Sequence, residues 1–304
     1  MRKAYLLFNP LSGRRNGRRL ADVNEALAVL QRAGVEANAA PTRAAADATE
    51  QTRQAISEGC DTIFACGGDG TIHDVLQGMV GTQAVLGIIP LGTANSLAHD
   101  LCLPLSPAGA ARAALSSRPR RIAVGRVEYQ DNAGQRASRY FTVTAGIGVD
   151  AHLFYQLNPA MKSRAGMAAY YFHATRLWLT HPMGEFEVEL TASRQVNVSQ
   201  LLAVRIRNFG GMLRELAPGA SLERNDLGVV LFKTRSRLAY LRYVARGLFA
   251  GRGEIAGIES IHSERVGCRA LASESRIFIE ADGELLGTLP AEISVVPDAL
   301  SLLG

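Results

Sequence analysis

"FACGGDGTIHDVLQG", residues 64–78, places three glycines within four positions, between an apolar run and a helix-like pattern. Gly67, Gly68 and Gly70 permit positive φ and carry no side chain, so a phosphate group can approach the backbone closely. The helix that follows offers unpaired N–H groups and a partial positive charge to an anion. A tight strand-to-helix turn without a ligand would use the same glycines. The stretch alone therefore leaves a phosphate loop and a structural turn open.

The chain around this turn alternates between strand-like and helix-like segments up to about residue 122. Repeated strand–helix units predict a doubly wound parallel sheet with helices on both faces. Ligands of such sheets bind beyond the carboxyl ends of the strands, where the glycine turn is expected to lie. Strands are predicted at 4–9, 35–40, 61–67 and 84–90, and helices at 20–33, 44–58, 72–80, 94–101 and from Pro107 onward.

From about residue 123 the pattern changes to that of antiparallel strands. Residues 122–130, the turn "DNAG" and residues 139–150 predict a hairpin. The length of 304 residues suits two domains, which we place at 1–122 and 123–304, with the last residues possible partners of the N-terminal domain. Further strands are predicted at 185–190, 201–208, 227–232, 254–262, 265–271, 276–281 and 291–296, and helical inserts near 163–181 and 236–250.

The composition excludes several classes of protein. Apolar residues make up 47% of the chain and charged residues 20%, which is typical of a folded globular protein rather than a disordered one. No apolar stretch approaches the ~20 residues of a membrane-spanning helix. The apolar segment near the start is shorter than the roughly 7–15 residues of a signal peptide, so we expect a cytoplasmic protein. The four cysteines form no CxxC pair, which argues against zinc and disulfide frameworks.

The positive charge is carried almost entirely by arginine. The net charge is +5, and lysine occupies only three positions. Arginine binds phosphate through two parallel hydrogen bonds, so the bias suits phosphate ligands or anionic lipid. A biased codon composition would give the same count. We expect no nucleic-acid partner, and the sequence leaves a homodimer possible.

Two further polar glycine loops follow predicted strands. "NPLSG", residues 9–13, precedes four arginines, at positions 14, 15, 18 and 19, and "PLGTAN", residues 90–95, follows the fourth strand. Because the carboxyl ends of parallel strands share one edge of the sheet, the two loops and the GGDGT turn are expected to lie together. Three such loops at one edge favour a ligand site over a plain surface.

The order NPxSG, GGDGT and PLGTAN, with "ADGE" at residues 281–284, resembles the diacylglycerol kinase catalytic-domain family, which includes soluble bacterial lipid kinases, sphingosine kinases and ceramide kinases. The resemblance covers nearly the whole chain. It implies an N-terminal nucleotide domain, a C-terminal β-sandwich-like domain, and ATP with Mg²⁺ in the cleft between them. GGDGT alone is shared with NAD kinases and phosphofructokinases, whereas PLGTAN with the late DGE is more selective.

The resemblance also implies roles for single residues. Asp282 matches the family's general base, with Glu284 beside it, and Asp69 belongs to the catalytic carboxylates. A carboxylate near the acceptor hydroxyl can take its proton during phosphoryl transfer. In isolation, the Asp282–Gly283 pair would instead predict a hairpin turn. The ATP-binding residues implied by the resemblance are Asn9, Ser12, Gly13, Arg14, Gly67, Gly68, Asp69, Gly70, Thr71, Gly92, Thr93 and Asn95.

The chain departs from its family at three positions that commonly carry acidic residues of a metal–water network. Here these positions hold Ser96, Ala123 and Arg224. We hypothesise that Arg224 supplies the positive charge of the missing auxiliary Mg²⁺. A shifted alignment would use Glu223 or Asp226 as a metal ligand instead. Catalytic Mg²⁺, carried with ATP, is still expected.

A lipid kinase also needs an apolar cavity and a way onto the bilayer. Segments 164–179 and 235–252 are candidates, and the second suits transient contact with anionic lipid at the inner membrane surface. The same pattern fits a helix packed on the β domain with solvated arginines. The residues predicted to share one face of the second segment are Leu238, Leu241, Ala245, Leu248 and Phe249.

The leading functional prediction is an ATP- and Mg²⁺-dependent kinase for a lipid hydroxyl, namely diacylglycerol, a related glycerolipid or a sphingoid base. "GTANSLA" and the pair His73–Asp74 favour sphingosine or ceramide, and the compact single chain favours glycerolipids. The alternatives are NAD kinase-like chemistry and a catalytically weak protein that binds nucleotide or lipid and regulates another process.

Overall fold

The computed structural model describes residues 1–10, 18–42, 47–149, 183–191, 193–210, 215–249, 253–271 and 276–304. Within them, the helices are α1 (Arg19–Arg32), α2 (Asp47–Ser57), α3 (Asp69–Met79), α4 (Ser96–Asp100), α5 (Pro107–Ser116) and α6 (Arg237–Phe249). The first seven strands are β1 (Lys3–Phe8), β2 (Glu36–Pro41), β3 (Thr62–Gly67), β4 (Val85–Pro90), β5 (Arg120–Gln130), β6 (Arg136–Phe141) and β7 (Thr144–Gly148). The others are β8 (Phe186–Thr191), β9 (Arg194–Val198), β10 (Gln200–Val204), β11 (Leu227–Phe232), β12 (Ile258–Ser263), β13 (Arg265–Ala270), β14 (Phe278–Ala281) and β15 (Glu284–Leu302).

The N-terminal half is the predicted doubly wound parallel sheet. Its strand order is β2–β1–β3–β4, all parallel. Strand β3 is buried on both faces: Ile63 and Ala65 enter the core on the side of α3, and Phe64 and Cys66 enter the core on the side of α1 and α5. This burial explains why β3 is a continuous apolar run rather than an alternating one.

The predicted helix ends are found where local chemistry places them. Helix α1 stops just before Gly34, whose φ of +81° suits glycine. Helix α5 begins with Pro107, and the Ser106 hydroxyl accepts a hydrogen bond from the Gly109 N–H at 3.2 Å. Both features confirm the sequence-based boundaries.

The C-terminal half is antiparallel and sandwich-like, as predicted. One layer follows the order β12–β11–β10–β7–β14, and the other contains β5, β6, β8, β9 and β13, with β15 joining them. Residues from both layers, such as Ile147, Val229, Phe186 and Ile293, meet in one apolar core. The predicted helical insert near 236–250 is α6, whereas the one near 163–181 lies outside the described residues.

Two details of this half differ from the prediction. Residues 139–150 do not form one strand, because the chain breaks between β6, which pairs with β5, and β7, which pairs with β10 and β14. The reason is that the backbone N–H groups at the break donate to a side chain, described below.

The predicted face of α6 is also wrong in part: Leu238 and Leu241 are exposed, whereas Tyr240 and Tyr243 pack on the β domain.

Strands β5 and β15 run through both halves. Strand β15 is 19 residues long and pairs antiparallel with β5 along most of its length. Near its end, Ser301 and Leu302 pair in parallel with Val85 and Leu86 of β4. The last strand of the chain therefore belongs to the parallel sheet as well. In the part of the chain that the structure describes, no helix has the length and apolarity to cross a membrane.

Candidate active site

The GGDGT turn joins β3 to α3 and is packed tightly. Gly68 is the N-cap of α3 with an extended backbone, and Asp69 is the first helical residue. A Cβ atom added to Gly70 would lie 2.8 Å from the Glu284 Oε1 atom. Glycine at this position therefore allows the helix start and the β14–β15 turn to approach each other, as a site formed between the two halves requires.

The PLGTAN loop lies directly against this turn. A Cβ atom added to Gly92 would stand 2.4 Å from the Gly68 Cα atom, so the two loops meet backbone to backbone. The Asn95 amide holds the loop in shape: its Oδ1 accepts from the Gly92 N–H at 2.8 Å and its Nδ2 donates to the Gly92 carbonyl at 3.1 Å. Thr93 is exposed at the tip. The predicted convergence of these two loops is found.

The first loop is only partly described. Asn9 follows β1 and is half-buried, whereas Ser12, Gly13 and Arg14 lie outside the described residues. Arg19, expected among the arginines around phosphates, is instead 4% exposed, and its Nη1 donates to the Leu91 carbonyl at 2.5 Å. Its burial lowers the pKa of Arg19, with Asp22 opposing. This arginine supports the PLGTAN loop.

Asp282 occupies a two-residue hairpin turn and also points into the protein. Asp282 and Gly283 have φ values of +50° and +84° between the paired residues Ala281 and Glu284, as in a type I′ turn. The hairpin turn that the Asp282–Gly283 pair predicts in isolation is therefore found. Asp282 is 8% exposed.

Three consecutive backbone N–H groups hold the Asp282 carboxylate. The Thr142 N–H donates to Oδ2 at 3.0 Å, and the N–H groups of Val143 and Thr144 donate to Oδ1 at 2.9 and 3.0 Å. These are the groups at the break between β6 and β7. A carboxylate has about four acceptor positions, so one remains, on Oδ2.

His73 lies beside that remaining position. It is 2% exposed, and its Nδ1 atom is 3.6 Å from Asp282 Oδ2. Within the described residues, the Nδ1 atom has no hydrogen-bond partner, and neither do the hydroxyls of Thr142 and Thr144. Buried polar atoms without partners are uncommon and often mark catalytic sites. In the sequence analysis, His73 served only as an indication of the lipid. Its spacing of four residues from Asp69 places both on one face of the helix, and this spacing could have predicted that His73 lies at the site.

The other carboxylates near Asp282 are shifted towards their protonated forms. Burial raises the pKa of Asp69, and the charge of Asp282 adds to that shift. Burial also raises the pKa of Glu284, with His73 opposing and Asp282 adding to the rise. Burial raises the pKa of Asp74 to about 6, while His73 opposes and Glu284 adds. Clustered acids with shifted pKa values are typical of functional sites.

These residues do not fit a metal ion held by the protein alone. Among the residues that the structure describes, no three side chains of His, Cys, Asp or Glu come together as metal ligands would. All four cysteines are free thiols. The arrangement combines glycine loops at a helix start with the buried Asp282 carboxylate and the less buried carboxylates of Asp69 and Glu284 near it. It can bind phosphate groups and remove a proton from a neighbouring hydroxyl, which defines a phosphoryl-transfer enzyme.

Comparison with known proteins specifies the family. The diacylglycerol kinase catalytic domain matches residues 3–127, and the YegS C-terminal NAD kinase beta sandwich-like domain matches residues 142–304. The chain belongs to the diacylglycerol kinase catalytic-domain family. It is 29% identical over 296 residues to a diacylglycerol kinase of Bacillus subtilis (strain 168), covering 96% of this chain and 93% of that one. A diacylglycerol kinase of Staphylococcus aureus (strain MRSA252) is 26% identical over 292 residues, with 95% and 88% covered.

Solved structures share the fold. The crystal structure of a diacylglycerol kinase from Bacillus anthracis str. Sterne matches with a TM-score of 0.73 at 18% identity, over 99% of this chain and 96% of that chain. Yeast NADH kinase complexed with NADH matches with a TM-score of 0.53 at 10% identity, over 100% of this chain and 83% of that chain. The second likeness is one of fold alone.

Proposed function

We propose that this chain transfers the γ-phosphate of ATP to the hydroxyl of a lipid, with diacylglycerol as the first acceptor to test and a related glycerolipid or sphingoid base as the next. The observation that carries the proposal is the contact between Gly68 and Gly92 at the start of α3, the helix whose His73 lies 3.6 Å from the buried Asp282 carboxylate. One helix thus carries an anion-binding backbone at its start and borders a proton acceptor. The name shared by the relatives supports the lipid as acceptor.

The donor side of the proposal rests on the two described glycine loops. Gly67, Gly68 and Gly70 let the chain turn tightly into the start of α3, whose N–H groups would bind the phosphate oxygens. Asp69 faces the start of α4, where its Oδ1 atom accepts from the Leu97 N–H at 3.5 Å. Helix starts carry partial positive charge, which suits the ATP phosphates. Mg²⁺ would arrive with ATP and neutralise phosphate charge, while the glycine loops bind and orient the nucleotide.

The acceptor side rests on Asp282 as general base. Three of its acceptor positions are taken by N–H groups, so a lipid hydroxyl has to approach Oδ2 next to His73. The proton of that hydroxyl moves to Oδ2 while the oxygen attacks the γ-phosphorus, and the bond between that phosphorus and the β–γ bridging oxygen breaks, which releases ADP. Glu284, beside Gly70, adds negative charge that favours proton removal. His73 is a positioning residue in this scheme, because its Nδ1 atom, 3.6 Å from Oδ2, borders the acceptor position that the hydroxyl approaches.

Contact with the membrane is proposed through α6. Leu238, Leu241 and Val244 are 56%, 53% and 48% exposed, at spacings of three along one side of the helix. From residue 233 to residue 253 the sequence has no acidic residue, and Arg237 and Arg242 lie on α6. Exposed apolar side chains beside arginines suit the surface of an anionic bilayer. Sedimentation with anionic and with neutral vesicles tests this contact, and equal binding to both contradicts it.

A labelling assay tests the reaction. Purified protein is incubated with Mg²⁺ and γ-labelled ATP, in separate mixed micelles of diacylglycerol, monoacylglycerol, sphingosine and ceramide, with NAD in a parallel tube. Label in one lipid, lost in Asp282→Asn and kept in Asp298→Asn, is the expected result. Label in NAD would instead favour the NAD kinase-like alternative. ATP binding without any labelled product would favour the regulatory alternative.

A further inference from the structure

The guanidinium of Arg205 is enclosed by backbone carbonyl groups. Arg205 follows β10 directly and is 0% exposed. Its Nη1 atom donates to the carbonyls of Arg224, at 2.9 Å, and Asp226, and its Nη2 atom donates to those of Ala123, at 2.9 Å, and Leu222, at 3.3 Å. Four carbonyls from two separate segments, β5 and the loop before β11, thus converge on one cation.

This arrangement is unusual for a buried arginine, which commonly pairs with a carboxylate. Within the described residues, the guanidinium of Arg205 donates to carbonyl oxygens rather than to an acidic side chain. Burial lowers the pKa of Arg205 to about 10, and the charge of Asp226 opposes that shift. The group therefore remains a cation at neutral pH. A shell of oxygen atoms around a buried positive charge is also how proteins hold hard metal ions.

The residues around this shell do not fit the auxiliary metal that the family resemblance implies. The Asp226 carboxylate is engaged by Arg224, whose Nε donates to Oδ1 at 2.7 Å, and Glu223 pairs with Arg120 at 3.0 Å. Both acidic residues of the shifted alignment are thus bound by arginines. The Arg224 side chain lies at the surface, so the hypothesis that it replaces the metal is corrected: only its carbonyl faces the shell.

We propose that Arg205 takes the place of the auxiliary metal ion, and that the loop of residues 222–226 is held closed by a cation built into the chain. The same residue connects to the active site, because the Arg205 N–H donates to the Val143 carbonyl at 2.9 Å and the Val143 N–H donates to Asp282. This link is made by the backbone of residue 205 and not by its guanidinium. This inference does not depend on which acceptor is phosphorylated.

The test uses thermal unfolding of the full chain without nucleotide, in EDTA and in Mg²⁺. The variant is Arg205→Ala, and the matched control is Arg207→Ala, which removes an exposed arginine two residues further on. Four carbonyls lose their donor in the first variant, so its melting temperature is expected to fall by about 5–10 °C. Methylguanidinium, which fits the emptied shell, is expected to restore part of that loss and to leave the control unchanged.

The wild-type protein provides an independent readout that needs no variant. Its melting temperature is expected to be equal in EDTA and in Mg²⁺, and protein purified without nucleotide is expected to contain no stoichiometric divalent metal by elemental analysis. A stoichiometric metal ion, or a wild-type melting temperature that EDTA lowers, would overturn the proposal. So would an Arg205→Ala variant that melts with the Arg207→Ala control. If the alanine variant does not fold, the metal content decides.

Discussion

Two buried charges of opposite sign lie close to the start of strand β7, and backbone groups stabilise both. Three N–H groups hold the Asp282 carboxylate, and four carbonyls hold the Arg205 guanidinium. The two groups differ in whether a position remains at which another molecule could bind. Asp282 keeps one acceptor position, on Oδ2 beside His73, whereas each Nη atom of Arg205 donates to two carbonyls. Asp282 can therefore accept a proton in the proposed reaction, whereas Arg205 has a structural role.

The two charged groups are not paired with each other, and this keeps Asp282 able to accept a proton. If the two groups were paired directly, the carboxylate would lose its remaining acceptor position to a guanidinium and could no longer accept a proton. Backbone dipoles stabilise each charge without neutralising it. The two residues share the Val143 peptide, whose N–H donates to the Asp282 carboxylate and whose carbonyl accepts from the Arg205 backbone N–H. Preorganised dipoles around a reactive group are a general device of active sites.

The largest expected effect comes from removing the reactive charge. Asp282→Asn keeps the size of the side chain but turns an amide towards three N–H donors. We expect the turnover rate to fall by about 10²–10⁴-fold, as for loss of a general base, and the free energy of unfolding to fall by about 2–4 kcal/mol. Labelling assays and chemical denaturation measure the two. Asp298→Asn, at another aspartate with positive φ but an exposed one, is the control and should change neither.

A second variant leaves both buried charges intact and disturbs only the phosphate loops. Gly92→Ala forces a Cβ atom to within 2.4 Å of the Gly68 Cα atom. We expect the KM for ATP to rise by about 10–100-fold, since overpacking costs of about 1–3 kcal/mol fall on the loop contact. Gly267→Ala is the control, because its Cβ atom would meet only Glu189, at 3.7 Å. An unchanged KM for ATP in Gly92→Ala would separate this loop from the nucleotide.

The next prediction concerns His73, which borders the acceptor position that Asp282 retains. In His73→Leu, apolar carbons replace a ring nitrogen 3.6 Å from Oδ2, and we expect kcat to fall by about 10–100-fold with the KM for ATP retained. His73→Asn keeps a polar nitrogen near the Nδ1 position and should retain most of the activity. Steady-state kinetics of both variants tests this, and equal losses would mean that His73 only fills space.

The smallest expected effect is on stability and depends on pH. The pKa of Asp74 in the folded protein is about 6, raised by burial from an ordinary value of 3.8. Between these two values the folded state binds more protons than the unfolded state, so this group's contribution to stability is lost as the pH rises through 6. Asp74→Asn should therefore raise the free energy of unfolding at pH 7.5 by about 1–2 kcal/mol, a value reduced for partial solvent screening.

The gain in Asp74→Asn should vanish near pH 4, where the wild-type carboxyl is protonated in the folded state. Denaturation curves of both proteins at the two pH values measure it. The same gain at both pH values would show that the amide acts through a new contact and not through the lost charge.

The sequence predicted the layered fold, the glycine loops and the hairpin at Asp282, because each depends on local patterns of apolar residues and glycine. It did not predict the break at Thr142–Val143 or the role of Arg205. Both depend on partners about 20 to 140 residues away whose contributing atoms are backbone N–H and carbonyl groups. Such groups carry no side-chain identity, so no motif marks them. The outward face of α6 was missed because Tyr240 and Tyr243, rather than the leucines, fill the pocket on the β domain.

The position of β15 has a consequence for folding while the chain is being synthesised. Strand β4 is paired with β3 on one side, and its other neighbour is the end of β15, where the Leu303 N–H also donates to the Leu86 carbonyl. A ribosome therefore releases β1 to β4 long before the residues that cover the edge of β4. During that interval the nascent sheet presents an open, apolar edge, which is the kind of surface that invites wrong pairing. Synthesis of residues 300–303 closes that edge.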